Sequence, residues 1–568
     1  MLRSYTSYTG LKTWALDWIL FATVVYHLLI SPYTKVEESF NLHAVHDLIN
    51  YGIYDVPHFD HKEFPGAVKR SFVGSLMIFI VSKPLLTIVD ILDAWIPSSS
   101  FYHKDTQLVR QITVRFALGL VNLITFIKLR GAIFKSVRLS VHGERIQLWF
   151  SILQFSQFHF FYYASRTLPN FVAMPMVSTG ISWILQGRTT SGICIIMATG
   201  IILRTEILAF GILIYIIAIA LRELKLRNTF PKLLATSISA SVVTMLVDTY
   251  FWQEPSFPEL ESFYFNVIEG KSAQWGTEPF HSYLTKYVPK LFILPVVPCL
   301  AFFGLFVPSY HSTKAKIIIF SSWAYILLMS IQPHKEWRFI IYSSPGILLS
   351  ASCFLAKIEP RTRLLKSIMF TLVCLVILVS YILSIFAGFV SSFNYPGGYA
   401  LQLLNDRLST VVNSYPNSDP IMIHLNVKSR MTGASLFGEI RSNSLIYDKT
   451  EDEMKLNDKR FWQQFSYVIS DCAFESCSFS PFENDTWSII DTVEGYHGFD
   501  KQRLVDDLGL FLRTPAGSIS FITQIVKSHN LQFIYDLSKR YIVLYPTLCI
   551  YRKTGIDSTS DLMAAKSS

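Results

Sequence analysis

Long apolar runs recur along this 568-residue chain, and no other feature limits its fold as tightly. Runs of about 17 to 25 apolar residues cross ~30 Å of hydrocarbon as helices, and inside a bilayer a helix satisfies its own backbone. The first run spans Trp14–Ile30, and others cover roughly 72–93, 108–128, 147–165, 168–186, 191–221, 233–252, 287–307, 316–331, 338–356 and 367–391. They predict a polytopic α-helical membrane protein with about eleven transmembrane helices. Only 16% of residues are charged while 51% are hydrophobic, which excludes both a disordered chain and an ordinary soluble domain. No small-residue cleavage site follows the first run, which reads as an uncleaved signal anchor.

Fifty Lys and Arg against 41 Asp and Glu give a net charge of +9. Many of the cations sit in short loops between runs, such as Arg222, Lys225, Arg227 and Lys232, and Lys357, Arg361, Arg363 and Lys366. Such loops face the cytosol, so the basic charge needs no nucleic-acid partner. With an odd number of crossings, the loops 31–71, 253–286 and 332–337 and the tail share the far side. One cluster objects: Lys128, Arg130, Lys135, Arg138 and Arg145 fall on the far side, and Arg166 on the cytosolic side. Either a block between 72 and 186 is re-entrant, or tertiary fit overrides the positive-inside bias.

The helical membrane region is expected over 1–391. From 392 to 568 the composition changes to short β-rich runs, 421–427, 467–470, 487–493 and 541–551, which predict a small luminal α/β domain. Its Asn484-Asp485-Thr486 is the chain's one Asn-x-Ser/Thr sequon and is usable only in the secretory lumen. In an oxidising lumen Cys472 and Cys477 either pair across a short loop or remain two free thiols.

Several polar groupings carry chemistry. Glu37 and Glu38 emerge just after the first helix, either as a general base or as a solvated acidic loop start. Asp60, His61 and Arg70, in the same loop, either line a sugar site or lie flat at the interface. Arg204, Glu206 and Asp248 fall inside apolar runs, where ionisable groups face a bundle, cavity or site. Arg204 and Glu206 are two apart and, on one helix, should not meet. Asp248, Trp252, Gln253 and Glu254 combine acids, an amide and a ring face, a mixture suited to sugars. In Gln332-Pro333-His334-Lys335-Glu336-Trp337-Arg338-Phe339, Lys335 and Arg338 suit a phosphate at the membrane surface. Arg166, in Ser165-Arg166-Thr167-Leu168-Pro169-Asn170, is a weaker case. With no Asp-x-Asp, phosphate loop or zinc spacing, a metal-dependent nucleotide-sugar transferase and a transport ATPase are both disfavoured.

Thr34-Lys35-Val36-Glu37-Glu38-Ser39-Phe40-Asn41, Phe64-Pro65-Gly66, the Arg166 and Asp248–Trp252 segments, His334-Lys335-Glu336-Trp337-Arg338-Phe339 and Asn394-Tyr395-Pro396-Gly397-Gly398 together resemble the endoplasmic-reticulum mannosyltransferases of glycosyltransferase family 22. The likeness runs from about residue 14 to 400 and is strongest to the family's α-1,6 branch in N-glycan precursor assembly. It implies a GT-C type membrane transferase with a luminal site, dolichyl phosphate mannose as donor and a dolichyl-diphosphate Man7GlcNAc2 oligosaccharide as acceptor.

Where sister enzymes mostly carry Asp-Glu, this chain has Glu37-Glu38, so Glu37 takes the base position with Glu38 as second choice. The resemblance assigns His334, Lys335 and Arg338 to the donor phosphate. Asp60, His61, Arg70, Arg166, Asp248, Trp252, Gln253, Glu254 and Glu336 become substrate-binding candidates. No metal or other cofactor is expected, because cationic side chains meet the leaving-group charge. The rivals are a glycosylphosphatidylinositol-anchor mannosyltransferase, the α-1,2 enzyme of the same pathway, and a polyprenyl-lipid transporter. The transporter predicts inverted repeats and glycine-broken helices in matched halves, which the sequence does not display. The pattern does not fix an oligomeric state.

Overall fold

The computed structural model describes residues 13–66, 68–95, 106–138, 142–307, 312–360, 362–414, 420–472, 487–503, 505–507 and 539–554. The chain forms two compact units. The second holds Ile30–Val36, a stretch ending at Leu108 and everything from Phe386 onward, and the first holds the rest.

The first unit is helical: α1 (Thr13–Ile30), α2 (Val36–Asn50), α3 (Phe72–Trp95), α4 (Thr106–Val137), α5 (Gly143–Leu153), α6 (Phe158–Tyr163), α7 (Pro169–Leu185), α8 (Thr189–Ile202), α9 (Thr205–Ala220), α10 (Leu226–Trp252), α11 (Pro258–Phe263), α12 (Val288–Leu291), α13 (Val296–Gly304), α14 (Thr313–Met329), α15 (Ser344–Ile358) and most of α16 (Arg363–Ser392). Among the described residues, five segments are long and apolar enough to cross a membrane. A sixth joins them if Tyr283–Leu291 and Val296–Gly304, bent by 114°, count as one. Small residues let the helices approach closely: a methyl at Gly192 would run into α7, and one at Gly346 into α14.

Three expectations about these helices need correction. Block 191–221 exceeds the ~20 residues one crossing needs. It is two helices, α8 and α9, folded back at Arg204 so that Gly200 lies against Leu208 and Gly211 against Met197. Block 147–165 is interrupted by a 3-10 turn, Gln154–Ser156.

The third concerns α3. Asp17, near the start of α1, pairs with Arg130 in the second half of α4. In the first half of α4, Arg115 and Asn122 donate to the Ser165 and Ala164 carbonyls. These carbonyls adjoin Arg166, which pairs with Glu38 beyond the end of α1. Helices α1 and α4 therefore run antiparallel. The start of α3 is tied to α2 by Ser75 and Asn41, and its Asp90 pairs with Arg110 at the start of α4. Both ends of α3 are thus tied to residues toward the Glu38 end of the unit. Arg130 of the basic stretch 128–145 pairs with Asp17 at the opposite end of α1, whereas Arg166 joins Glu38.

The second unit contains α17 (Pro396–Ser414), β1 (Ile421–Leu425), α18 (Val427–Met431), β2 (Leu445–Asp448), α19 (Glu453–Leu456), α20 (Lys459–Gln463), β3 (Tyr467–Asp471), β4 (Trp487–Phe499) and β5 (Ile542–Lys553). The strands form one mixed sheet in the order β2-β1-β3-β5-β4, parallel across β2, β1 and β3 and antiparallel beyond. Because side chains alternate along a strand, each face buries its own core. Leu401 and Leu404 of α17 cover Ile423 and Ile469, while Trp462 and Phe465 cover Val468 and Tyr551. Cys472 is bonded to Cys549 of β5 rather than to Cys477. Antiparallel pairing of β3 with β5 brings the two together across 77 residues. Cys477 and Asn484 lie outside the described residues.

Candidate active site

The site begins at the first turn of α2, where the adjacent acids part company. Glu38 is buried, and its carboxylate accepts from Arg166 Nη1 at 2.8 Å with side-chain exposures of 3% and 0%. The guanidinium also donates to the Tyr162 hydroxyl and lies 4.5 Å from that ring's centroid. Thr167 Oγ1 donates to the Glu38 carbonyl at 3.0 Å, and Asn41 donates to the Thr167 carbonyl at 2.8 Å. One turn of α2 is thus gripped from both sides by residues 166 and 167. Removing one partner of such a buried pair costs about 3–5 kcal/mol. Glu37, one residue earlier, points the other way: it is exposed and makes no hydrogen bond or ion pair among the described residues.

The same short segment reaches a second cluster. Pro169 starts α7, where its missing N–H is no loss. The next side chain, Asn170, donates to Glu206 at 2.9 Å, the Tyr342 hydroxyl at 3.1 Å and the Arg338 carbonyl at 3.2 Å. Residues 166 and 170 are at most about 15 Å apart along the chain, so the acid turn and the arginine cluster belong to one region.

Arg204 occupies the extended residue before α9 and pairs with Glu206 at 2.8 Å. They meet, against expectation, because Arg204 is not helical. Arg338 is clasped by Glu336 at 2.5 and 2.7 Å. Glu259 accepts from the Thr205 amide and hydroxyl at 2.9 and 3.0 Å. Burial pushes its carboxyl up to about 7, with Arg204 pulling the other way. Arg70 forms no ion pair among the described residues. Burial, aided by repulsion from Arg204 and Arg338, brings it down to about 10, so it stays cationic. Burial works to raise Glu336, but Arg338 and His334 outweigh it and hold it below the usual carboxylate range. The three arginines are thus set against two paired carboxylates and one, Glu259, that burial holds partly protonated near neutral pH. The sequence signal for Arg204 and Glu206 was their cost inside an apolar run, whereas Glu259 gave none.

Other candidates turn out to be framework. Lys335, expected on a phosphate, is 4% exposed and donates to the carbonyls of Gln332 and Glu278 at 2.6 and 3.1 Å. His334 is held by the Gly276 carbonyl at 2.9 Å and by Glu336 at 3.1 Å. Asp248, expected at a sugar, is fully buried and accepts from the Phe72 amide and the Thr244 hydroxyl, both at 2.7 Å. His61 bonds the Phe251 carbonyl at 3.0 Å, and Trp252 donates to the Arg70 carbonyl at 3.1 Å. Each of these groups makes at least one bond to the protein's own backbone. Asp60 pairs with His43 at 2.9 Å. Gln253 takes a left-handed backbone with φ 58° that ends α10, and Glu254 pairs with Lys69 at 2.7 Å. Among the described residues no three His, Cys, Asp or Glu side chains are grouped to hold a metal ion.

Residues 18–424 match the model of the Alg9-like mannosyltransferase family. The chain is 31% identical to the Dol-P-Man:Man(7)GlcNAc(2)-PP-Dol alpha-1,6-mannosyltransferase of Saccharomyces cerevisiae, covering 96% of this chain and 99% of that one. A probable enzyme of the same name from Schizosaccharomyces pombe is 33% identical, over 84% and 80%. In fold, the chain is similar to the crystal structure of ArnT from Cupriavidus metallidurans bound to undecaprenyl phosphate. The TM-score is 0.54 at 10% identity, covering 85% of this chain and 96% of that one.

Proposed function

The chain belongs to the Alg9-like mannosyltransferase family, and we propose that Glu37 is the base of its transfer reaction and that Arg70, Arg204 and Arg338 receive the donor phosphate. The protein is a dolichyl-phosphate-mannose-dependent α-1,6-mannosyltransferase acting on dolichyl-diphosphate-linked Man7GlcNAc2. The observation that supports the base assignment is the split between the two acids: Glu38 is buried against Arg166, whereas Glu37 is exposed on the same turn.

Inverting transfer needs one base. The acceptor 6-hydroxyl attacks mannose C1 while Glu37 takes its proton. The C1–O bond to phosphate breaks on the opposite face, and the electron pair leaves on dolichyl phosphate. The developing phosphate charge falls to the arginines, whose donors are fixed in advance and need no reorganisation. Arg70, which forms no ion pair among the described residues, is the first to meet it. This scheme requires no metal.

Helix order supports the remaining placement that we propose. Eleven crossings are α1, α4, the α5–α6 pair, α7, α8, α9, α10, the bent α12–α13 pair, α14, α15 and α16, with α3 lying across the active-site end. The active-site end and the second unit then face the lumen of the endoplasmic reticulum, and the basic loops face the cytosol.

The test is the lipid-linked glycan that accumulates in cells lacking the protein, with wild type and Glu37→Gln restored in parallel. The reading expects a precursor short of one α-1,6-mannose, cleared by wild type alone. Accumulation of anchor precursors with normal N-glycan lipids would overturn the pathway. In purified enzyme, chelation should leave turnover unchanged.

A further inference from the structure

The three carboxylates of the arginine cluster are not held alike, and all of the groups concerned lie in the first unit. Glu206 accepts from Arg204 at 2.8 Å and from Asn170 at 2.9 Å. Glu336 is clasped by Arg338 and bonded by His334 at 3.1 Å. Glu259, only 7% exposed, has no ion pair among the described residues. Its partners are neutral: the amide and the hydroxyl of Thr205, at the start of α9, both donate to Oε2, at 2.9 and 3.0 Å. Oε1 accepts no hydrogen bond among the described residues.

An ionised carboxylate buried without a cation of its own is strongly destabilised by lost hydration, and a proton removes that cost. Four charged or titratable groups on the elements packed around Glu259 face it. Arg204 and Arg70 favour its ionised form, Glu206 opposes it, and Tyr342 is the fourth. Glu261, on the same short helix, accepts from the Phe257 amide at 3.1 Å and lies 4.0 Å from Lys69. Burial outweighs the arginines, which is why the carboxyl sits near 7. The hydrogen bonding gives the same answer without reference to acidity. Two donors occupy Oε2, so the acid form carries its proton on Oε1, where no donor competes.

A phosphate received by Arg70, Arg204 and Arg338 brings negative charge beside these groups. An ionised Glu259 repels it and a neutral one does not. We propose that donor binding is coupled to protonation of Glu259: as dolichyl phosphate mannose arrives, one proton from water neutralises the carboxyl at Oε1. The three arginines then face the phosphate with two ionised carboxylates instead of three. The proton returns to water when the site empties. The proposal rests on the reading of the arginines as the donor-phosphate site. Because the donor is a phosphodiester, its own charge does not change around neutral pH, and any change in its affinity there belongs to the protein.

The experiment uses the full-length purified enzyme and dolichyl phosphate mannose without acceptor, so that binding is read apart from transfer. In wild type the donor Kd is expected to rise about 10-fold between about pH 6 and pH 8, the weakening imposed when only the protonated form of a carboxyl titrating near 7 binds. Glu259→Gln, a neutral stand-in that keeps an oxygen for Thr205, should bind at the higher pH as tightly as wild type does at the lower. Calorimetry in two buffers of different ionisation heat should show wild type taking up about half a proton per donor bound near pH 7, and Glu259→Gln none. A Kd in wild type that does not change with pH overturns the proposal. So does an unchanged slope in folded Glu259→Gln, which would assign the titration to another group such as the His334 imidazole, and so does weaker binding of that variant at both pH values. Arg70→Ala separates the two claims. If it binds the donor as wild type does, the phosphate assignment fails and this proposal with it; if it weakens binding while Glu259→Gln keeps the slope, only this proposal fails.

Discussion

Two clusters in the helical unit draw on the same chemistry, acids and arginines, and use it in opposite ways. At the first turn of α2, Glu38 and Arg166 are matched one to one, buried and cross-braced by Tyr162, Thr167 and Asn41. At the Arg70, Arg204 and Arg338 cluster the charges do not balance. Two arginines have carboxylate partners, Arg70 has none among the described residues, and Glu259 titrates near 7. A charge-matched, fully buried cluster serves as framework, because it is closed to solvent. An unbalanced one is where we propose that the anionic donor phosphate is received. Asn170, four residues from Arg166, joins the two, so the frame and the receiving surface are set by one stretch of chain.

The comparison breaks most completely at Glu37. Glu37→Gln should reduce turnover by about 10²- to 10⁴-fold, the worth of a general base, with an unchanged melting temperature because the side chain has no partner to lose. Retained turnover, measured with purified enzyme, would move the base elsewhere. Arg166→Ala should do the reverse, costing about 3–5 kcal/mol of stability by stranding Glu38 in the interior. It should show as loss of folded protein in detergent, with Arg166→Lys recovering only part. If Arg166→Ala were as stable as wild type, the matched pair would not be framework. A smaller effect is expected at the unbalanced cluster, where Arg70→Ala should raise the donor KM roughly 10- to 100-fold through loss of charged hydrogen bonds worth about 1.5–3 kcal/mol. An effect confined to acceptor KM would reassign that surface.

The smallest effect sharpens the contrast by pH. A carboxyl raised from 4.5 to about 7 favours its protonated form in the folded state. Its contribution to stability is therefore complete below about pH 4.5 and is lost as pH rises through about 7. The melting temperature of wild type should fall more steeply than that of Glu259→Gln between about pH 5 and pH 8. Parallel curves would place no titrating carboxyl there.

Class, motifs and the sheet-bearing tail were legible because each rests on local signals: run length, residue spacing and alternation. What escaped depends on partners distant in sequence. Nothing near residues 37 and 38 says which acid is spoken for, since Arg166 decides it from 128 residues away. Helix α3 has the length and hydropathy of a crossing helix, and only the contacts at its two ends show that it does not run between the ends of the unit. The break at Arg204 was foreshadowed by a run too long for one crossing, yet without the break Arg204 and Glu206 looked like strangers. Cys472 finds Cys549 through strand pairing, and loop proximity to Cys477 could not foretell that.

The Tyr33 hydroxyl donates to Gln402 Oε1 of α17, 369 residues away in sequence, and that gap has a temporal meaning. During synthesis Tyr33 emerges among the first residues, whereas α17 emerges after α1 to α16 have been made. The contact can therefore form only after α17 has been made, late in synthesis, and until then Tyr33 has to wait without it.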